Sequence, residues 1–308
     1  MKVLIDCDPG HDDAFAIIVA SQFSEIVGVT TVSGNAPLTL TTKNARVVLD
    51  LCGSRAPLHS GAARPLVAEP IHAAYIHGES GIDGAILPEP SRPADGTDAV
   101  HFIIDTVRAT PDLWLVALGP LTNIALALRA APDIAQRVAG ISIMGGGRFG
   151  NRTATAEFNI WCDPEAASAV FDCGAKIVMS GLDLTHQLIA DPKRIEMVRS
   201  AHTTLGPLLA GLLEFFGSSY MARHDDFLGA PVHDVCAVLA LTHPQLFTWK
   251  DAHVVVEIDG THTRGMTVID DRHVRARGTV NVRVLETIDA DAAFGIIVDA
   301  VRACPSNS

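Results

Sequence analysis

The chain is short of positive charge, of closely spaced cysteines and of long apolar runs. Each shortage excludes something. Lys and Arg number 23 against 35 Asp and Glu, a formal net charge of -12. Nonspecific binding to nucleic acid or to an anionic membrane needs a basic footprint, which this balance does not supply. The six cysteines (Cys7, Cys52, Cys162, Cys173, Cys236, Cys304) include no C-x-x-C pair, so a thiolate zinc site or dithiol redox centre is not expected. They read as reduced, buried thiols. The longest apolar runs, such as residues 14–20, fall far short of a membrane span. The opening MKVLIDCDPG shows no apolar stretch leading into a cleavage site. A cytoplasmic location is therefore expected.

What is present is a chain of 308 residues, 48% hydrophobic and 19% charged, able to bury a large core. Residues 2–6 read as a buried strand, 12–23 as a helix, 26–32 as a strand and 38–52 as a helix. The alternation resumes with strands at 113–118, 140–144 and 176–180, and helices at 122–131 and 164–171. Helices are expected within 192–220, at 235–241 and at 289–301, with late strands at 254–258, 266–269 and 280–284. The expected fold is α/β: a single open, mostly parallel sheet with a Rossmann-like core and helices on both faces. Residues 1–308 form one domain in this reading, with a candidate flap at 67–93, rich in Pro, Gly and His. In such sheets ligands sit beyond the carboxyl ends of the strands.

The strongest local signal lies there. Asp6-Cys7-Asp8-Pro9-Gly10-His11-Asp12-Asp13 puts four aspartates in eight residues, between a strand and a helix. Helix capping accounts for one or two acids at such a place, not four. Crowded carboxylates take up protons unless a cation neutralises them, and a hard cation with oxygen ligands resolves the conflict.

The string DCDPGHDDA resembles the signature of the inosine-uridine nucleoside hydrolases. Further blocks follow in the same order: VTTVSGN at 29–35, IHGESGIDG at 76–84, ALGPLTNI at 117–124, MGGG at 144–147, AEFNIWCDPE at 156–165 and APVHD at 230–234. The resemblance implies hydrolysis of the N-ribosidic bond of a ribonucleoside with Ca2+ as cofactor. It implies Asp8, Asp13, Asp234 and the backbone carbonyl of Leu118 as metal ligands, with Asp8 also the general base. Asp12, Asn35, Met144, Asn151, Glu157, Asn159 and Asp234 are the implied substrate contacts. His233 is the first candidate for the acid that protonates the leaving base, and His77 the second, since imidazole titrates near neutrality. Asp6 reads as structural. Base selection is assigned to residues 215–228, where Phe215, Phe216, Tyr220, Arg223 and His224 stand, and a broad or pyrimidine-preferring enzyme is expected. Family members are dimers or tetramers, so a homodimer or homotetramer is expected, with no nucleic-acid or membrane partner. Two rival readings remain: a magnesium-dependent aspartate phosphotransferase, and a nucleoside- or ribose-binding protein without catalysis.

Overall fold

The structure is a computed structural model describing residues 1–223, 227–272 and 278–305. Its strands are β1 (Lys2–Cys7), β2 (Glu25–Thr31), β3 (Leu58–Ser60), β4 (Leu113–Ala117), β5 (Gly140–Met144), β6 (Ile177–Ser180), β7 (Ile189–Ala190), β8 (Ala230–Pro231), β9 (Phe247–Val256), β10 (Thr267–Asp270) and β11 (Val282–Ile288). Nine of them form one sheet in the order β10-β9-β11-β6-β5-β4-β1-β2-β3, while β7 and β8 make a small separate ladder. Every pairing from β3 across to β11 is parallel, and β9 runs antiparallel to both β11 and β10.

The strand sequences explain the arrangement. Val3, Leu4 and Ile5 of β1 are buried whichever face they point to, as a central parallel strand under two helical layers requires. One core lies between the sheet and the helices His11–Phe23, Val235–Thr242 and Ala290–Ala303. The other lies under the helices Ala99–Ala109, Thr122–Ala130 and Pro164–Phe171. The His11–Phe23 helix is encased rather than amphipathic, with His11 through Ala20 all buried. Its first turn, which carries Asp12 and Asp13, is therefore drawn into the interior.

The chain moves outward from β1 in both directions, to β2 and β3 on one side and to β4, β5 and β6 on the other. This reversal of strand order leaves a crevice at the carboxyl ends of β1 and β4. In the register of the sheet Asp6 sits beside Thr30 on one side and Ala117 on the other. The loop carrying Asp8 thus emerges between those carrying Asn35 and Leu118.

Several elements differ from expectation, among them the short helices Ala74–His77, Phe158–Cys162 and Leu182–Thr185 and the β7–β8 ladder, which were not expected. The helix Ala99–Ala109 was not among the expected elements, although Val100, Ile103, Ile104 and Val107 follow helical spacing. β9 starts at Phe247, because the polar, exposed stretch Thr248–Asp251 is an outer strand segment without an alternating apolar signal. β3 has only three residues, too few for a periodic pattern.

Candidate active site

Four carboxylates converge at the crevice: Asp8, Asp12, Asp13 and Asp234, all buried. One ligand atom from each of Asp12, Asp13 and Asp234 lies within 4.8 Å of the others, a group that could hold a metal ion. Asp8 adjoins this trio, its backbone N–H donating to Asp13 Oδ1 at 3.3 Å. One oxygen of Asp8, Oδ2, accepts the Asn35 N–H at 2.6 Å. The other, Oδ1, is buried and makes no hydrogen bond among the described residues.

The backbone around Asp8 leaves no slack. A Cβ on Gly34 would fall 2.0 Å from Asp8 Oδ2, and one on Gly119 would fall 2.2 Å from Oδ1. Any side chain at either position would displace the carboxylate. Asp13 accepts the Gly10 N–H at 2.9 Å and the Asn35 side-chain amide at 3.5 Å. Asp234 precedes the Val235–Thr242 helix without capping it. Capping thus accounts for only one of the four acids.

Burial is the main reason their pKa values rise, and repulsion from neighbouring acids adds to it for Asp8, Asp12 and Asp234. Asp8 and Asp234 lie well above the usual carboxylate range, and Asp13 is raised. Asp12 is pushed up to about 8, although the backbone N–H groups of His233 and Asp234 pull against the rise. A cation among the four would remove both the desolvation cost and the repulsion. The donors are all hard oxygens, so the residues fit calcium. The unpartnered Asp8 oxygen and the two side-chain-free backbone positions beside it point the same way.

Asp6 turns away from this group. Its Oδ1 accepts from Thr30 Oγ1 at 2.6 Å and from Asn123 Nδ2 at 2.8 Å, tying β1 to β2 and to the Thr122–Ala130 helix, and burial raises its pKa to about 7.

Above the acids opens a cleft of about 680 Å³. Asp12, Asn35, His77, Leu118, Met144, Asn151, Glu157, Asn159, His233 and Asp234 all line it, bringing together almost every residue singled out in the sequence. Several already have partners. The Leu118 carbonyl accepts Asn159 Nδ2 at 2.7 Å, and the Met144 carbonyl accepts the same group at 3.2 Å. Glu157 caps the Phe158–Cys162 helix, accepting the N–H groups of Asn159 and Ile160, and also that of Gly146. Asn151 Oδ1 accepts the Phe158 N–H at 2.9 Å.

The upper wall is built from imidazoles and rings. His233 Nδ1 meets Thr185 Oγ1 at 2.7 Å and its Nε2 meets the Tyr220 hydroxyl at 2.9 Å. Burial holds His233 and His77 well below the usual imidazole pKa, and lowers His11 to about 4. Phe216, Tyr220 and Arg223 line the cleft. Their spacing of four and then three residues, on the Leu205–Met221 helix and just past its end, is a helical stripe that the sequence displayed. His224 lies outside the described residues. Trp161 packs with Ala73, Phe158 and Cys162, under the Arg152 guanidinium. Thr185 and Tyr75 belong to the site without any signal in the local sequence.

A crevice at a strand-order reversal, floored by buried acids and walled by neutral imidazoles and amides, defines an α/β enzyme built to hold a polyhydroxylated ligand against a cation site. The family model for inosine-uridine preferring nucleoside hydrolase matches residues 3–295, and the chain belongs to that family. It is 42% identical over 275 residues to the pyrimidine-specific ribonucleoside hydrolase RihA of Citrobacter koseri, covering 88% of each chain. It is 40% identical over 312 residues to an uncharacterized protein of Schizosaccharomyces pombe, covering 99% of this chain and 100% of that one. A solved structure of a purine-preferring ribonucleoside hydrolase from Gardnerella vaginalis superposes with a TM-score of 0.92 at 31% identity, over 99% of both chains. The chain is accordingly a ribonucleoside hydrolase. No helix among the described residues is long and apolar enough to cross a membrane.

Proposed function

We propose that the cleft hydrolyses the N-ribosidic bond of ribonucleosides in one displacement, with Asp8 as general base. The unpartnered, buried Asp8 Oδ1, which lies beneath the cleft beside the loops of Asn35 and Gly119, supports this reading above all else. Asp8, Asp13, Asp234 and the Leu118 carbonyl would hold a calcium ion, which when bound neutralises the acids and makes a neighbouring water easier to deprotonate. Asp8 Oδ1 accepts the proton of the attacking water. Asn35 keeps the carboxylate from rotating. Asp12, Asn35, Asn159, Glu157 and Asn151 hold the ribose hydroxyls, and Met144 packs beneath the sugar. The acidic floor stabilises positive charge developing on the ribose ring. Attack from the face opposite the base gives inversion.

His233 is the proposed source of the leaving-group proton. Its Nε2 is engaged by the Tyr220 hydroxyl, so His233, neutral at rest, takes up a proton from solvent, and as it gives its Nε2 proton to the Tyr220 oxygen the Tyr220 hydroxyl proton passes to the base. A broad or pyrimidine-preferring specificity is proposed, supported by the likeness to RihA. A cytoplasmic location is proposed as well, with all six cysteines unpaired. Self-association as a dimer or tetramer is supported by exposed Trp249, Val255 and Val268 on the β9–β10 surface, and light scattering checks it. The phosphotransferase reading lacks a phosphate-holding lysine among the described residues lining the cleft.

Rates of base release from uridine, cytidine, inosine and adenosine, with calcium and with a chelator, test the proposal. Calcium-dependent release of free base is expected. Tight nucleoside binding without turnover would favour a binding protein instead.

A further inference from the structure

The motif histidine His11 was assigned no role by the sequence, yet it is the most completely enclosed imidazole near the site, with no exposed surface. It stacks on Phe215 and Phe216, each with an interplanar angle of 9°. Its Nε2 lies 2.7 Å from the backbone carbonyl of Asp83, and its Nδ1 lies 2.9 Å from Nδ1 of His77. These two contacts fix where the protons are. A carbonyl only accepts, so His11 Nε2 must carry the hydrogen. A neutral imidazole has one N–H, and this ring is sealed among aromatic rings with no carboxylate bonded to it among the described residues, which disfavours a second proton. His11 Nδ1 is then a lone pair. The hydrogen between the two rings therefore belongs to His77 Nδ1. His77 is itself buried and stacked against His11 and Phe216, with no carboxylate bonded to it among the described residues, so it too is neutral and its Nε2 is left bare.

His77 lines the cleft, and its Nε2 has no hydrogen-bond partner among the described residues. We infer that His11 is a positioning residue that locks His77 with its Nε2 lone pair toward the substrate, so that His77 accepts an N–H or O–H from the nucleoside and does not protonate the leaving base. This rests on the proposed hydrolysis for its substrate and revises the second of the two candidate acids. It also gives the region 76–84 a fixed anchor, since Asp83 and His77 both lie there and both are held by a ring on the first helix.

The tautomer is read directly from two-bond proton–nitrogen correlations on the calcium-loaded protein. Protonated Nδ1 and bare Nε2 on His77 are expected, and a proton on Nε2 would overturn the inference. Kinetics on uridine give a second reading. His11→Asn loses the N–H to Asp83, as His11→Phe does, but keeps an acceptor at the position of Nδ1, so its KM should lie clearly below that of His11→Phe. His11→Phe keeps the stack but loses the acceptor. One neutral hydrogen bond in binding is worth up to about a tenfold change, so KM should rise by that order while kcat stays within about threefold. A fall in kcat at unchanged KM, as a lost proton donor would produce, contradicts the inference. So does His11→Asn behaving like His11→Phe. If the parent protein released no base from any nucleoside, the hydrolytic reading would fail while the tautomer measurement still stood.

Discussion

The floor and the upper wall of the cleft are both buried and both rich in ionisable groups, but they settle their charge in opposite ways. Asp8, Asp12, Asp13 and Asp234 crowd together, and burial raises every one of them. His11, His77 and His233 are lowered by the same burial and stay neutral, satisfied by a carbonyl, by each other and by two hydroxyls. The floor is thus unfinished without a cation, whereas the wall is complete as it stands. Changes to the floor should abolish chemistry, and changes to the wall should adjust it.

The largest effect is expected from Asp8→Ala, which removes the proposed base and one proposed ligand together. A fall in kcat of at least about 10³-fold is expected, with weaker calcium binding by calorimetry. Loss of turnover at unchanged calcium affinity would separate the two roles assigned to Asp8. Gly119→Ala comes next. Its methyl would press on Asp8 Oδ1 and shift the carboxylate, and a displacement of this kind costs about 10²-fold in rate. Circular dichroism should show the fold retained.

On the wall, Tyr220→Phe keeps the ring and removes the hydroxyl that meets His233 Nε2. Release of uracil from uridine should slow about 10²-fold, at the low end for lost general acid catalysis. Hydrolysis of p-nitrophenyl riboside, whose leaving group needs no proton, should barely change. Equal slowing of both substrates would mean that Tyr220 only shapes the cleft.

The same contrast decides what could be read from the sequence. Three floor acids, Asp8, Asp12 and Asp13, fall within six residues, so their crowding is visible as text, and the strand before them and the turn at Pro9-Gly10 set their position. The parallel sheet was equally legible, because buried β-branched runs alternate with helices. The wall is assembled at long range. His11 meets His77 across 66 residues and Asp83 across 72, and Thr185 reaches His233 across 48. No local pattern encodes such pairings. His233 and His77 could therefore be named as candidate acids, while the Tyr220 hydroxyl on one and the His11 ring on the other became visible only in three dimensions. Phe216, Tyr220 and Arg223 are an intermediate case: their helical spacing was in plain view, but the face they share was settled by packing.

The smallest effect, and the one that tests the contrast most directly, is a dependence of stability on pH. In the calcium-free protein Asp12 titrates at about 8 and Asp6 at about 7, against 3.8 for an ordinary aspartate. Between pH 4 and pH 8 the folded chain therefore holds protons that the unfolded chain has released. Their contribution to stability is fully present below the ordinary value and is lost as pH rises through the folded one, at about 1.4 kcal/mol per pH unit for each proton held. Calcium would take the place of the floor protons but not that of Asp6, which is bonded to Thr30 and Asn123 instead. The gain in melting temperature on adding calcium should therefore grow steadily from pH 5 to pH 8. Asp6→Asn should leave that growth intact, whereas Asp12→Asn should make it shallower, since Asp8, Asp13 and Asp234 stay raised. A calcium gain that stayed constant across this range would mean that the floor acids are not protonated in the empty site, and that burial and repulsion are relieved there by something other than a cation.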